Sequence, residues 1–181
     1  MKILVVIDMQ NDFVDGALGT AEAQAIVPRV CEKIRGFDGL VLYTRDTHDP
    51  DYLQTQEGRQ LPVEHCIKGT YGHELCPDVA ALCTGTPIDK PTFGSKGLAE
   101  VLAARHRYEG PVESITLVGL CTDICVISNA LLLKAFLPEV PIIVDASCCA
   151  AACACWASSW ACCWAAMASL AAASSASSWF A

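Results

Sequence analysis

A cysteine sits in the stretch Val118-Gly119-Leu120-Cys121-Thr122-Asp123-Ile124-Cys125-Val126, close behind the apolar, β-branched run that begins at Ile115. Such a run reads as a buried strand that stops at Gly119. Thr122 and Asp123 are good helix starters, and Ile124 to Phe136 carries an apolar helical pattern. Cys125 is therefore expected in the first turn of a helix that follows a strand. Unpaired N–H groups and the positive end of the helix dipole meet there, and both favour a thiolate. A thiolate so placed could act as a nucleophile. Taken alone, the same residue reads as a small buried apolar side chain, the commoner fate of a free cysteine.

Two other chemically able residues also end apolar runs. Lys2 to Asp8 is a short apolar segment closing in an acid, and Thr86 to Lys90 closes in a lysine. An acid at a strand exit is either a turn residue or a site residue. A lysine beside a cysteine would stabilise thiolate by charge pairing, although most strand-end lysines are solvated. Asp46 and His48 stand at i, i+2 behind a further apolar run, and His65 returns 17 residues later. Carboxylate and imidazole together suit Zn²⁺, Fe²⁺ or Mn²⁺ better than Ca²⁺, while the Asp-His pair alone is more often an ordinary polar loop.

The elements that must position these groups alternate. Strands are expected over Lys2–Asp8, Gly39–Thr44, Thr86–Lys90, Ile115–Gly119 and Pro141–Ala146. Helices are expected over Ala21–Phe37, Leu98–Ala104 and Thr122–Phe136, with a short helix inside Tyr71–Cys83. This alternation implies an α/β fold, a parallel sheet covered on both faces. No internal repeat or phosphate-binding glycine loop stands out.

At 181 residues the natural expectation is one domain over 1–181. A formal charge of −8 argues against nucleic acid and anionic membrane as partners. Met1-Lys2 leads straight into the first apolar run, without the pattern of a signal peptide, so the 12 cysteines read as free thiols of a reduced, cytoplasmic protein. The gap between Cys121 and Cys125 is not the two-residue spacing of zinc or redox motifs. Residues 147–181 use only Ala, Cys, Ser, Trp, Met, Leu and Phe, and every charged residue and histidine precedes them. That segment is too polar for a good membrane span and too rich in Trp and Cys for a disordered tail. Its letters read as placeholders for other residues, and no chemistry is rested on them.

With their flanking residues these strand exits resemble the isochorismatase-like cysteine hydrolase superfamily, in particular its nicotinamidase-like branch. The matching stretches are Val6–Phe13, Thr44–His48, His65–Thr70, Lys90–Phe93 and Gly119–Val126, in the family's order. The resemblance implies a three-layer α/β/α fold with a central six-stranded parallel sheet, its last helix and strand coming from the tail. It implies that Cys125 is the nucleophile, Asp8 the acid/base and Lys90 the charge partner. The backbone N–H groups of Cys121 and Cys125 would form an oxyanion hole behind a cis Leu120–Cys121 peptide. Asp46, His48 and His65 would hold a divalent transition metal, zinc before iron or manganese, with Glu57 the weaker fourth candidate. Phe13 would be a wall for the substrate, a small amide, and the protein a homo-oligomer.

One departure weighs against nicotinamide itself: Leu61-Pro62-Val63-Glu64 offers no aromatic where the family usually has a tryptophan. A related cysteine hydrolase of ureido or carbamoyl compounds, and a non-catalytic binding protein of the same fold, are therefore the other readings.

Overall fold

Lys2–Ile7 forms β1, and five of its six residues are fully buried. A strand this apolar on both sides must be covered on both faces. The structure, a computed structural model, describes residues 1–152. Along the chain follow α1 (Asn11–Val14), α2 (Ala21–Arg35), β2 (Leu40–Asp46), α3 (Gln56–Gln60), α4 (Pro77–Ala80), β3 (Ile88–Lys90), α5 (Lys96–Tyr108), β4 (Ser114–Leu120), α6 (Ile127–Phe136) and β5 (Ile142–Ala150). Local chemistry starts the two long helices ahead of β4. The Thr20 hydroxyl accepts from the Ala23 N–H at 3.0 Å and that of Ser95 from Leu98 at 3.1 Å, each satisfying an otherwise orphan helix donor.

The strands pair in parallel in the order β3-β2-β1-β4-β5. Successive strands step outward from β1 through β2 to β3, then the chain returns to the other side of β1 for β4 and β5. Ligands of open α/β sheets gather at the carboxyl ends beside such a reversal. Alternate residues of β1 face opposite layers. Leu4 and Val6 pack with Ile26, Val27 and Val30 of α2, whereas Ile3, Val5 and Ile7 pack with Leu98 and Leu102 of α5 and Leu133 of α6. These two cores make the three layers.

The sheet expected to have six strands has five among the described residues. The sixth strand and its helix would come from the tail beyond residue 152, outside the described residues. Other differences are local. β2 runs on to Asp46 because Arg45 and Asp46 pair with Asp89 and Lys90 of β3. The segment from Tyr52 to Pro62, which has no clear period, contains a 3₁₀ turn and α3. No helix among the described residues is long and apolar enough to cross a membrane.

Candidate active site

Asp8, Asp46 and Lys90 lie at or just past the carboxyl ends of three adjacent strands, and register brings them together. Ile7 is level with Thr44, and Asp46 with Lys90. The Lys90 ammonium lies 2.7 Å from Asp8 Oδ2 and 3.0 Å from Asp46 Oδ1, with all three side chains buried. It also donates to the Thr92 carbonyl at 3.3 Å. The Thr44 hydroxyl donates to Asp8 Oδ1 at 2.7 Å, leaving Oδ2 to face the lysine. Asp8 adopts φ 49°, a left-handed conformation that aspartate tolerates better than most residues. Burial pushes the Asp8 carboxyl up, with Lys90 pulling it down. Burial also opposes ionisation of Asp46, but Lys90 and His48 hold that carboxyl well below its usual range. Lys90 pays the same burial cost, and its acidic neighbours keep it charged, well above the usual lysine value.

Cys125 reaches this cluster from the turn after β4, its sulfur 3.4 Å from Lys90 Nζ. The peptide between Leu120 and Cys121 is cis. Gly119, at φ 116°, packs so closely on the Ile7 carbonyl that a Cβ there would collide with it. Cys125 is not in the first turn of an α-helix, as its neighbours suggested. It lies in a π-helical turn, Thr122–Val126, that precedes α6. The Cys121 carbonyl accepts from both Ile124 and Val126 at 3.1 Å, and the wider ring follows from the second bond. The expected thiolate meets an opposing influence. Burial pushes the Cys125 thiol well above its usual value, against the pull of Lys90. The sulfur thus sits beside a cation in a setting that opposes its ionisation, one proton transfer from activation.

Asp46 is shared with a second group. His48, Glu57 and His65 each aim one ligand atom at it, and the four atoms lie within 4.8 Å of one another. His48 Nε2 is 3.2 Å from Asp46 Oδ2, and His65 Nε2 is 3.8 Å from the same oxygen. His65 Nδ1 is 2.8 Å from the Val63 carbonyl, which assigns the proton to Nδ1 and turns the Nε2 lone pair inward. Burial lowers the His65 pKa, so the ring is neutral, as a metal ligand must be. Glu57 Oε1 is buried, 3.7 Å from His48 Nε2, and has no hydrogen-bond partner among the described residues. Two imidazole nitrogens and two carboxylates with an orphaned buried oxygen fit a divalent transition metal.

Between these groups opens a narrow cleft lined by Phe13, Asp46, Glu57, His65, Phe93, Cys121, Ile124 and Cys125. Phe13 packs against the His65 ring at 5.5 Å. The structure thus brings together every side chain singled out in the sequence, and Cys121 and Cys125, whose N–H groups were expected as an oxyanion hole, both line the cleft. Sequence reasoning missed the walls Phe93 and Ile124, and it missed Asn129. The fully buried Asn129 donates to the Cys125 carbonyl at 2.8 Å and to Phe93 O at 3.1 Å, and accepts from Ser95 N at 2.9 Å. Its one signal was an amide inside an apolar helical run, four residues after the cysteine.

Comparison with known proteins agrees with this fold. A nicotinamidase of Acinetobacter baylyi is 27% identical over 162 residues, covering 71% of this chain and 72% of the relative. The crystal structure of N-carbamoylsarcosine amidase from Thermoplasma acidophilum superposes with a TM-score of 0.69 at 31% identity, over 83% of this chain and 84% of that one. A zinc complex of pyrazinamidase from Pyrococcus horikoshii gives 0.63 at 26%, over 83% and 86%. The family model described as the isochorismatase domain matches residues 2–168. With that match spanning most of its length, the chain belongs to the isochorismatase family, on the nicotinamidase-like side of it.

Proposed function

We propose that this protein is a cysteine amidohydrolase that cleaves the C–N bond of a small, flat amide through a thioester, with nicotinamide-like amides as substrates. The observation that carries the reading is the buried Lys90 ammonium touching both the Asp8 carboxylate and the sulfur of Cys125, a residue that lines the cleft. In this reading the amide ring lies along Phe13, with its carbonyl carbon over Cys125. Asp8 takes the thiol proton, and Lys90 balances the negative charge as it passes from carboxylate to sulfur. The thiolate adds to the carbonyl carbon, and the oxyanion that forms is held by the N–H groups of Cys121 and Cys125. Such a donor is often worth about 2.7–4 kcal/mol. Protonated Asp8 gives its proton to the departing nitrogen, so ammonia leaves and the thioester remains. Asp8, now ionised, takes a proton from water, hydroxide displaces the sulfur, and the proton returns to Cys125.

Asp46, His48, Glu57 and His65 would hold a divalent ion, zinc before iron or manganese, which when bound supplies a Lewis-acidic contact for an electron-pair donor of the substrate. Asp46 then serves two neighbours, one oxygen toward the ion and one toward Lys90.

A second reading, hydrolysis of a carbamoyl or ureido compound, is favoured by two observations. Residues 61–64 offer no aromatic to sandwich a ring, and the carbamoylsarcosine amidase is among the similar structures. Ammonia release over a panel of pyridine carboxamides, aliphatic amides and N-carbamoyl compounds, with and without added zinc, iron or manganese, separates the two. Turnover confined to N-carbamoyl compounds would replace the nicotinamide reading, and release from none would remove both. A homo-oligomer belongs to the same proposal, and sedimentation of the purified chain tests it.

A further inference from the structure

Tyr52 has no place in the chemistry above, yet it is fully buried behind the metal-ligating group. Its ring centroid lies 4.6 Å from that of His48 and 4.9 Å from that of His65, edge-on to the latter at 79°. The two imidazoles also meet each other at 4.8 Å. One aromatic face therefore limits how far either ring can rotate. The polar atoms of Tyr52 hold the segment around Glu57. Its hydroxyl donates to the Leu61 carbonyl at 3.0 Å. Its own carbonyl accepts from the Thr55 hydroxyl at 2.7 Å and the Thr55 N–H at 2.9 Å. The same Thr55 hydroxyl accepts from Gly58 N–H at 3.0 Å and so caps α3, the turn that carries Glu57. Gly58 lies so close to the Tyr52 carbonyl that a Cβ would run into it. Both ends of the five-residue turn bearing Glu57 are tied to one tyrosine.

We propose that Tyr52 is a positioning residue for the ion-binding group: its ring fixes the planes of His48 and His65, and its carbonyl and hydroxyl oxygens fix the turn that delivers Glu57. A short helix such as α3 would not hold a carboxylate at a fixed place unaided. Glu57 Oε1 has no hydrogen bond of its own among the described residues, and this backbone knot sets the turn that carries it. Outer-shell partners of this kind typically set metal affinity by 10–100-fold. The inference rests on the metal reading above and goes beyond it by assigning a residue that touches neither ion nor substrate.

The test is cobalt titration of the full chain after chelator treatment, read by the visible absorption of Co²⁺, which reports ligand number and geometry. Tyr52→Phe keeps the ring and loses one hydrogen bond, so its affinity should fall a few-fold at most, with the band shape little changed. Tyr52→Leu removes the ring and should weaken cobalt binding about 10–100-fold and alter the bands. Gly58→Ala, which changes neither ligand nor tyrosine, should displace Glu57 and shift the bands too. Titrations are run on protein shown to be folded by circular dichroism, so lost stability alone leaves affinity and bands unmoved. Should Tyr52→Leu not fold, Gly58→Ala carries the test. Wild-type affinity and bands in Gly58→Ala and in folded Tyr52→Leu would overturn the inference while leaving the metal reading intact. A wild-type chain that takes up no cobalt would overturn the metal reading, and this inference with it.

Discussion

Replacing Lys90 by methionine removes a charge and little volume, and the structure says what that leaves behind. Asp8 and Asp46 would face one another across a buried space with no cation between them. Removing one partner of a buried ion pair typically costs about 3–5 kcal/mol. At about 2–4 °C per kcal/mol for a domain of this size, the melting temperature should drop by roughly 6–20 °C. The loss should depend on pH in a defined direction. Without the ammonium, the Asp8 carboxyl, already raised by burial, rises further above its unfolded value of 3.8, and Asp46 loses the main influence that lowers it. The folded state then holds more protons than the unfolded state, and stability falls as pH rises through those values. In the wild type Lys90 holds Asp46 ionised, and that contribution is instead lost as pH falls. The deficit of Lys90→Met should therefore be larger at about pH 8 than at about pH 5. Adding Asp8→Asn should restore part of it, since one of the two stranded charges is gone. Urea unfolding of the wild type, Lys90→Met and Asp8→Asn/Lys90→Met at both pH values measures all of this. A Lys90→Met protein within about 0.5 kcal/mol of the wild type at the higher pH would refute the buried charge triad.

Asp8→Asn should lower kcat by about 10²–10⁴-fold with little change in KM, because it removes proton transfer and keeps shape; a rise in KM alone would contradict its role. Iodoacetamide should modify Cys125 slowly near neutral pH and faster as pH climbs past the ordinary thiol value of 9.0, since burial opposes ionisation of the thiol. Rapid labelling at neutral pH, followed by peptide mapping, would show instead that the site rests as thiolate. The intact mass of the purified protein should differ from 19.3 kDa, because residues 147–181 read as placeholders; a matching mass would overturn that reading.

The chemistry at the strand exits was legible in the sequence because strand ends announce themselves. Apolar runs that stop at Asp8, Lys90 and Gly119 fix where a parallel strand meets its loop. What those runs do not encode is how far each strand must slide to bring its last residue level with its neighbour. Asp46 pairs opposite Lys90 because β2 continues two residues past its apolar part, and only pairing with β3 explains this. The surroundings of Cys125 were legible only in part for a related reason. Sequence showed a helix start and a nearby lysine, both favouring thiolate, but not the burial that opposes them. Tyr52 and Asn129 belong to a third kind. Their roles rest on hydrogen bonds and ring contacts made across an aperiodic segment or to distant backbone atoms, which the pattern along the chain barely records.

The central claim is that Cys125 carries the acyl group during amide cleavage. It is tested most directly by incubating the protein with an amide that releases ammonia in the substrate panel, quenching in acid and weighing the peptide that contains Cys125. The account predicts an added acyl mass on that cysteine which decays as product forms, with no adduct and no ammonia release in Cys125→Ala. Undiminished ammonia release by Cys125→Ala would contradict it.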